Sequence, residues 1–298
     1  MNLTSSIKEL FKPYRFTKIK NVTILESTSG NVVIKEKNKH VKNIYDYLSS
    51  RDFNYYPKLL NEDRIDANIY EYIEDFNKIY PQRNEDFIKL VALLHSKTSY
   101  IKEVTDDVYQ ELYENIKNNI VYYQEYYNKY YNLFLKSRYM SPSNYLFTRN
   151  YSKIQASLLF SMDNLDSWYQ SSIDKISERI SLIHNNLSSD HFIKGDEKDY
   201  LISWDKSKFD SPVIDLVKLY KSEFFDMEFN SLFENYLRIN PLTEEEKQLF
   251  FILISIPEEL EIDKNELLSV KKMRYFLDYI YKTELFLKPY YPSNEEDE

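Results

Sequence analysis

The chain has 298 residues, of which 43% are hydrophobic and 16% aromatic, and its formal net charge is -9 at pH 7. This length allows one large core or two lobes, and the negative charge argues against binding to a nucleic-acid backbone. The sequence has no cysteine, which excludes disulfides and thiolate chemistry, and it has no apolar run of signal-peptide or membrane-spanning length. We therefore expect a cytoplasmic protein without nucleic-acid or membrane partners.

The first 75 residues predict a small sheet with one helix. Residues 21–27 and 32–35 are rich in β-branched side chains and are separated by a turn at a glycine, which predicts two strands. Apolar residues at helical spacing predict a helix over 39–50, and two further short strands are expected at 57–60 and 67–73. The order is therefore strand, strand, helix, strand, strand.

The chain after residue 81 is predicted to be mainly helical, with one hairpin. A glycine and an aspartate at 195–196 mark the turn of that hairpin. The predicted elements are helices over 86–96, 108–136 and 163–182, a hairpin of 191–194 with 200–203, and helices between 214 and 291. We expect two domains, residues 1–75 and residues 76–298.

Polar residues recur in a distinctive order near the hairpin. The segment comprises His184, Asn185, Asn186, Leu187 and His191, then Ile202, Ser203, Trp204 and Asp205, and finally Asp215 and Leu216. This layout resembles the aminoglycoside-phosphotransferase branch of the kinase-like fold, in which His-Gly-Asp-Leu-His-x-x-Asn precedes Ile-Asp-Trp-Asp/Glu and a helical Asp-Leu pair. The resemblance runs from about residue 14 to about residue 220 and is greatest to bacterial spore-coat-associated members.

The resemblance implies an α+β, protein-kinase-like fold with two lobes. The small N-terminal lobe would be an antiparallel sheet with one helix, and the large C-terminal lobe would be mostly helical and carry the phosphotransferase-like loop at 184–205. Nucleotide binding would involve Lys35 at the end of a strand and Glu74 in a hinge at 74–76. His184, His95 and Asp215 would have structural roles.

Three residues depart from the pattern at the positions that carry the chemistry. Asn186 stands at the position of the catalytic aspartate, and a neutral amide cannot accept a proton at neutral pH. His191 and Ser203 stand at the two metal-binding positions, where Mg²⁺ requires hard oxygen ligands. The resemblance therefore implies the scaffold of a phosphotransferase without its base and metal ligands.

The phosphate-binding features are incomplete as well. No glycine precedes Gly30, so the candidate phosphate loop at 17–22 lacks the residue that allows close backbone approach. The helix after Lys35 contains Asp46 but no glutamate to pair with this lysine. Nucleotide binding is therefore expected to be weak or absent.

Two functional readings follow from these residues. In the first, the protein is a pseudokinase that acts as a binding or assembly module, with no cofactor, a protein or small-molecule partner, and a possible spore-coat role. In the second, Asp190 and Asp205 replace the missing metal ligands, and the protein is an ATP- and Mg²⁺-dependent phosphotransferase acting on a small-molecule hydroxyl. The first reading is favoured, because Asp190 is explained as a turn residue. Asp205 is explained as the acidic residue that the resembling family usually has after the tryptophan.

Overall fold

The structure, a computed structural model, describes residues 11–19, 21–28, 30–60, 67–76, 80–105, 107–260, 262 and 264–291. The chain forms two compact units, one from residues 1–99 with 181–209 and the other from residues 100–180 with 210–298. The loop at 184–205 therefore packs with the N-terminal residues. The domain boundary at 75/76, inferred from element order, remains a prediction.

An antiparallel sheet forms the start of the first unit. Its strands lie in the order β1 (Pro13–Ile19), β2 (Val22–Ser27), β3 (Val32–Glu36) and β4 (Ala67–Glu71). The predicted strands at β2, β3 and β4 are confirmed. Most of β1 was not predicted, because its side chains are exposed or half-buried and show no apolar alternation. Residues 57–60 form only an isolated bridge, from Leu59 to Tyr70.

The core of this sheet comes from the inward residues of β2, β3 and β4. Leu25, Ile34 and Ile69 are all essentially inaccessible to solvent. The following helix, α1 (Lys39–Ser50), was predicted with the same bounds. The Asn38 side chain accepts a hydrogen bond from the backbone N–H of His40 and so caps its N-terminus.

The first unit also contains the helix α2 (Tyr80–Thr98) and the predicted hairpin, now observed as β7 (Phe192–Lys194) and β8 (Asp199–Leu201). Gly195 is required at the hairpin turn. A Cβ atom there would lie 2.6 Å from the Lys198 carbonyl oxygen and 2.7 Å from the Tyr200 ring, closer than any side chain tolerates.

The second unit is mainly helical. Its elements, some of which cross the unit boundary, are β5 (Tyr100–Glu103), α3 (Val108–Leu135), α4 (Pro142–Ser172), β6 (Ser177–Ile183), β9 (Lys208–Asp210), α5 (Pro212–Glu223), α6 (Phe229–Ile239), α7 (Glu244–Ser255) and α8 (Glu266–Leu287). The prediction for α3 is confirmed. Ser141 caps α4 and Pro142 occupies its first turn, so these two residues mark the start of this helix.

The predicted helix at 163–182 is wrong in its second half. α4 ends at Ser172, and the residues from Ser177 onward form β6, which pairs antiparallel with β5 from Tyr100 opposite Ile180 to Glu103 opposite Ser177. Isoleucines at helical spacing suggested an inward helical stripe, but Ile176 is exposed. These residues form a strand because they pair with β5, a strand that the sequence pattern does not predict.

None of the helices within the described residues combines the length and the apolar character needed to cross a lipid bilayer.

Candidate functional site

Lys35 lies at the centre of the candidate site. It is on β3, and its Nζ donates hydrogen bonds to Ser203 Oγ at 3.0 Å and to Asp205 Oδ2 at 3.4 Å. The lysine side chain is 18% exposed and the aspartate side chain 38% exposed. The structure therefore brings together Lys35, Ser203 and Asp205, although they are about 170 positions apart in the sequence.

Ser203 has a left-handed backbone, with φ 70° and ψ 50°. This conformation is uncommon for a residue with a side chain other than asparagine or aspartate. The following residues, Trp204–Lys206, form a single 3-10 turn, so the strand β8 does not continue to Asp205. Ser203 and Asp205 therefore do not lie on one face of a strand; the turn carries both side chains to Lys35.

Trp204 and His184 support this turn from within. The Trp204 indole is buried and donates to the Leu201 carbonyl at 2.8 Å. His184 is also buried, its Nε2 donates to the Ile202 carbonyl at 2.9 Å, and its ring meets the indole edge-on at 4.8 Å. These contacts give His184 a geometry that suits the structural role implied by the resemblance.

The His191 side chain contacts the backbone of Asn186. The His191 Nδ1 atom donates to the Asn186 carbonyl oxygen at 2.6 Å, and the Lys206 ammonium lies 3.5 Å from the Asn186 side-chain oxygen. Asn185, at the position where the resembling motif has glycine, has φ 60°, and its amide donates to the Lys206 carbonyl at 2.8 Å. One nitrogen of His191 is therefore used to stabilise the loop.

The remaining predicted residues occupy varied positions. Glu74 is exposed after β4, and Asp190 is exposed in the 3-10 turn Ser189–His191. His95 is buried on α2, and Asp215 is buried in the first turn of α5. Asp46, the acid on α1, is also exposed. The roles assigned to these residues remain predictions.

A cavity of about 210 Å³ opens beside Lys35 and Ser203. Apolar side chains of β2, β3, β4 and the hairpin form most of its wall, which includes Val22, Ile24, Val33, Ile193, Ile202 and Trp204. Two of the three tyrosines in the wall, Tyr45 and Tyr70, are buried, and neither was predicted as a site residue. Tyr45 was placed on the inward face of α1, but its position beside Lys35 depends on how that helix packs on the sheet.

Burial changes the acidity of these two tyrosines. It raises the pKa of Tyr45, and it raises the pKa of Tyr70 to about 12, with a smaller contribution from the nearby Asp205 carboxylate in each case. The Asn68 amide donates to the Tyr70 hydroxyl oxygen at 3.1 Å, which partly opposes the increase. Both rings therefore remain neutral around physiological pH, and neither supplies an anionic ligand.

The N-terminus of α1 anchors the segment that follows Ser203. His40 Nε2 donates to the Ser207 carbonyl at 2.8 Å, and the Asn38 amide lies 3.5 Å from the Asp205 carbonyl oxygen. Asn68 on β4 in turn donates to the Asn38 carbonyl at 3.1 Å. The 3-10 turn that carries Asp205 is thus held on two sides.

The residues present do not form a suitable magnesium site. Within the described residues, no group of three or more His, Asp or Glu side chains is arranged to hold a metal ion. Ser203 offers a neutral hydroxyl, and the carboxylate of Asp205 contacts the Lys35 ammonium. Magnesium prefers charged oxygen ligands in octahedral geometry, so this donor set does not fit the ion.

Comparison with known proteins identifies the fold. The chain is similar to an aminoglycoside phosphotransferase from Alicyclobacillus acidocaldarius, with a TM-score of 0.68 and 10% identity over 93% of this chain and 91% of that one. It is also similar to a spectinomycin phosphotransferase solved with ADP and spectinomycin, with a TM-score of 0.52 and 13% identity over 96% and 99% of the two chains. The chain has the aminoglycoside-phosphotransferase fold.

The predicted fold class is therefore confirmed, with its N-terminal antiparallel sheet and large helical C-terminal part. No family model and no curated protein matches the sequence. The likeness to spore-coat-associated members stays a prediction.

Proposed function

We propose that this protein is a pseudokinase, a binding module with a phosphotransferase fold that does not transfer phosphoryl groups. The observation that supports this proposal is the contact of Lys35 with Ser203 and Asp205. The lysine expected to bind nucleotide phosphates already has a carboxylate partner, and the metal-binding position holds a hydroxyl. We further propose that it is cytoplasmic, that its partner is a protein or a small molecule, and that it has a role related to the spore coat.

Phosphoryl transfer depends on positioning and on neutralising charge, which the metal ions and the phosphate-binding lysine supply. Here Asn186 lacks a carboxylate, and Ser203 lacks one as well. An ATP molecule would have to compete with Asp205 for Lys35 without a well-bound magnesium ion. We therefore expect ATP to bind weakly and not to be turned over.

One observation favours the alternative of an active, atypical phosphotransferase. Asp205 is beside Lys35 and is 38% exposed, so in the presence of ATP its carboxylate could leave the lysine and bind a metal ion. Asp190, which is exposed on the neighbouring turn, is the second acid in that reading. The two functions make opposite predictions for the same variant.

The deciding experiment measures ATP affinity of the wild type and of Asp205→Ala, with and without Mg²⁺. If Asp205 competes for Lys35, the variant binds ATP about two- to fivefold more tightly than the wild type without metal, as expected for loss of a partly exposed ion pair. If Asp205 is a metal ligand, the variant loses Mg²⁺-dependent binding. Lys35→Met is the matched control, because without this lysine the replacement of Asp205 no longer increases the affinity for ATP.

Thermal shift and turnover complete the test. A ligand at 100 times its dissociation constant stabilises a protein by about 2.7 kcal/mol, so tight binding would raise the melting temperature measurably. Because we expect weak binding, millimolar ATP or GTP should cause no metal-dependent increase in melting temperature. ATP consumption by the wild type that Asp205→Ala or Asp190→Ala abolishes would establish the enzyme instead. Turnover that persists in both variants would indicate a contaminant.

A further inference from the structure

A separate cavity of about 610 Å³ lies within the second unit. Lys221 and Phe224 at the end of α5 form one side, and Tyr275 and Tyr279 on α8 form another. The third side is the segment 258–260 that follows α7. This volume is in the range of pockets that hold small organic ligands.

The third side of the cavity is fixed by tyrosines of α3. Tyr126 donates to the Leu260 carbonyl at 2.9 Å, and Tyr127 donates to the Glu258 carbonyl at 2.5 Å. Tyr122 donates to the Glu259 carboxylate at 2.5 Å. The repeated tyrosine pairs of α3 thus hold an irregular segment in place, so the cavity has a defined wall on this side.

Lys221 presents a half-buried ammonium to this cavity. Its Nζ donates to the Ile256 carbonyl at 3.1 Å, and the Glu258 Oε1 atom lies 4.0 Å away. The lysine side chain is 21% exposed, whereas the Glu258 side chain is 73% exposed and free to turn into solvent. Among the described residues, the Ile256 carbonyl is the one acceptor for an ammonium that has three N–H groups. The Glu258 carboxylate lies at the distance limit of an ion pair.

The electrostatics agree with this geometry. Burial lowers the pKa of Lys221, and the Glu258 carboxylate opposes this effect only in part. A buried ammonium without close compensation is unfavourable, and an added anion restores the missing interaction. Lys271 and Lys272, exposed in the first two turns of α8, add two further positive charges to the cavity lining.

Aromatic rings form the wall next to Lys221. The Phe224 ring lies 4.8 Å from Tyr275 and 4.9 Å from Tyr279, with edge-on geometry in both pairs. Tyr275 is 48% exposed, so its ring is available to a ligand. A planar aromatic ligand would gain contact area here without disturbing the packed core.

We propose that this cavity binds a small aromatic carboxylate, with the carboxylate on the Lys221 ammonium and the ring against Tyr275 and Phe224. The anion offers acceptors to the N–H groups of Lys221 that have no hydrogen-bond acceptor among the described residues. Glu258 opposes binding, because its negative charge is near the same ammonium. The site lies in a different unit from Lys35 and does not depend on the pseudokinase proposal.

The test uses 4-fluorobenzoate and its uncharged analogue 4-fluorobenzamide, with binding followed by ligand-observed fluorine NMR on the full chain. Because hydrogen bonds to charged groups are strong, we expect the wild type to bind the carboxylate about 10- to 100-fold more tightly than the amide. Lys221→Met removes this difference. Glu258→Gln strengthens carboxylate binding about twofold or more, since it removes a repelling charge.

Two further variants separate binding from a purely structural role. Tyr275→Ala weakens both ligands alike, whereas Lys288→Met, just beyond the end of α8 and outside the lining of this cavity, changes neither. If Lys221 only caps the end of α7, the wild type binds the carboxylate and the amide equally or binds neither at millimolar concentration, and the proposal is wrong. Should Lys221→Met not fold, the carboxylate-to-amide ratio of the wild type and the Glu258→Gln result decide.

Discussion

Lys35, Ser203 and Asp205 show how three side chains determine the chemistry of the site. The lysine reaches across to a hydroxyl at 3.0 Å and a carboxylate at 3.4 Å. It therefore does not depend on a glutamate of α1, where Asp46 points to solvent. Ser203 has a left-handed backbone, and its neutral hydroxyl offers no charge to a metal ion.

Placing acids at two positions is a direct test of the pseudokinase proposal. We expect the double change Asn186→Asp with Ser203→Asp to produce no ATP turnover. It supplies acids at two of the three positions where the resembling motif differs, but Lys35 then faces two carboxylates, and the glycine-free segment at 17–22 is unchanged. Phosphate release from ATP, measured beside the wild type, checks this; turnover above the wild-type background contradicts it.

Individual elements depend on contacts made by single hydroxyl groups. The α3 tyrosines are the main case, because their hydroxyls satisfy backbone carbonyls of a segment that has no secondary structure. Such carbonyls lose their partner when the donor is removed, and a buried unpaired carbonyl is costly.

We expect Tyr127→Phe to lower the free energy of unfolding by about 1–3 kcal/mol, because the Glu258 carbonyl loses its donor. Tyr131→Phe is the matched control on the same helix. It retains the stacking of its ring on Tyr151, at 4.0 Å, and should change stability by less than about 0.5 kcal/mol. Urea unfolding measures both, and equal losses in the two variants would contradict the assigned role.

At the scale of the whole molecule, the sequence contains 29 tyrosines, and six of those in the described part of the chain are buried. Burial raises the pKa of Tyr70 to about 12, and it also raises the pKa of Tyr127, Tyr220 and Tyr236. In the unfolded chain these groups titrate near 10. The folded state therefore holds protons that the unfolded state releases, and stability falls as the pH rises above about 10.

Tyr70 allows this pH dependence to be measured for one residue. Its stabilising contribution is complete below pH about 10 and is lost as the pH rises to about 12, at roughly 1.4 kcal/mol per pH unit. Tyr70→Phe should reduce the slope of stability against pH by this amount in that window. Tyr139→Phe, at an exposed position, should leave the slope unchanged. Urea unfolding at several pH values gives both slopes.

Much of the first unit could be predicted from local patterns. Helix α1 has the predicted bounds because its apolar spacing and its asparagine cap agree, and the hairpin at Gly195 follows from a turn that only glycine fits. The order of motif residues around His184 and Trp204 also indicated the fold. Each of these signals is contained within about two dozen neighbouring residues.

The tertiary structure decided what depends on distant partners. β6 is a strand because it pairs with β5, and Asp205 turns toward Lys35 because a left-handed serine begins a 3-10 turn there. The sequence alone determined which chemical groups the chain has, including an amide and a hydroxyl where acids were expected. Which groups meet is set by packing, since contacts 170 residues apart leave no trace in local spacing.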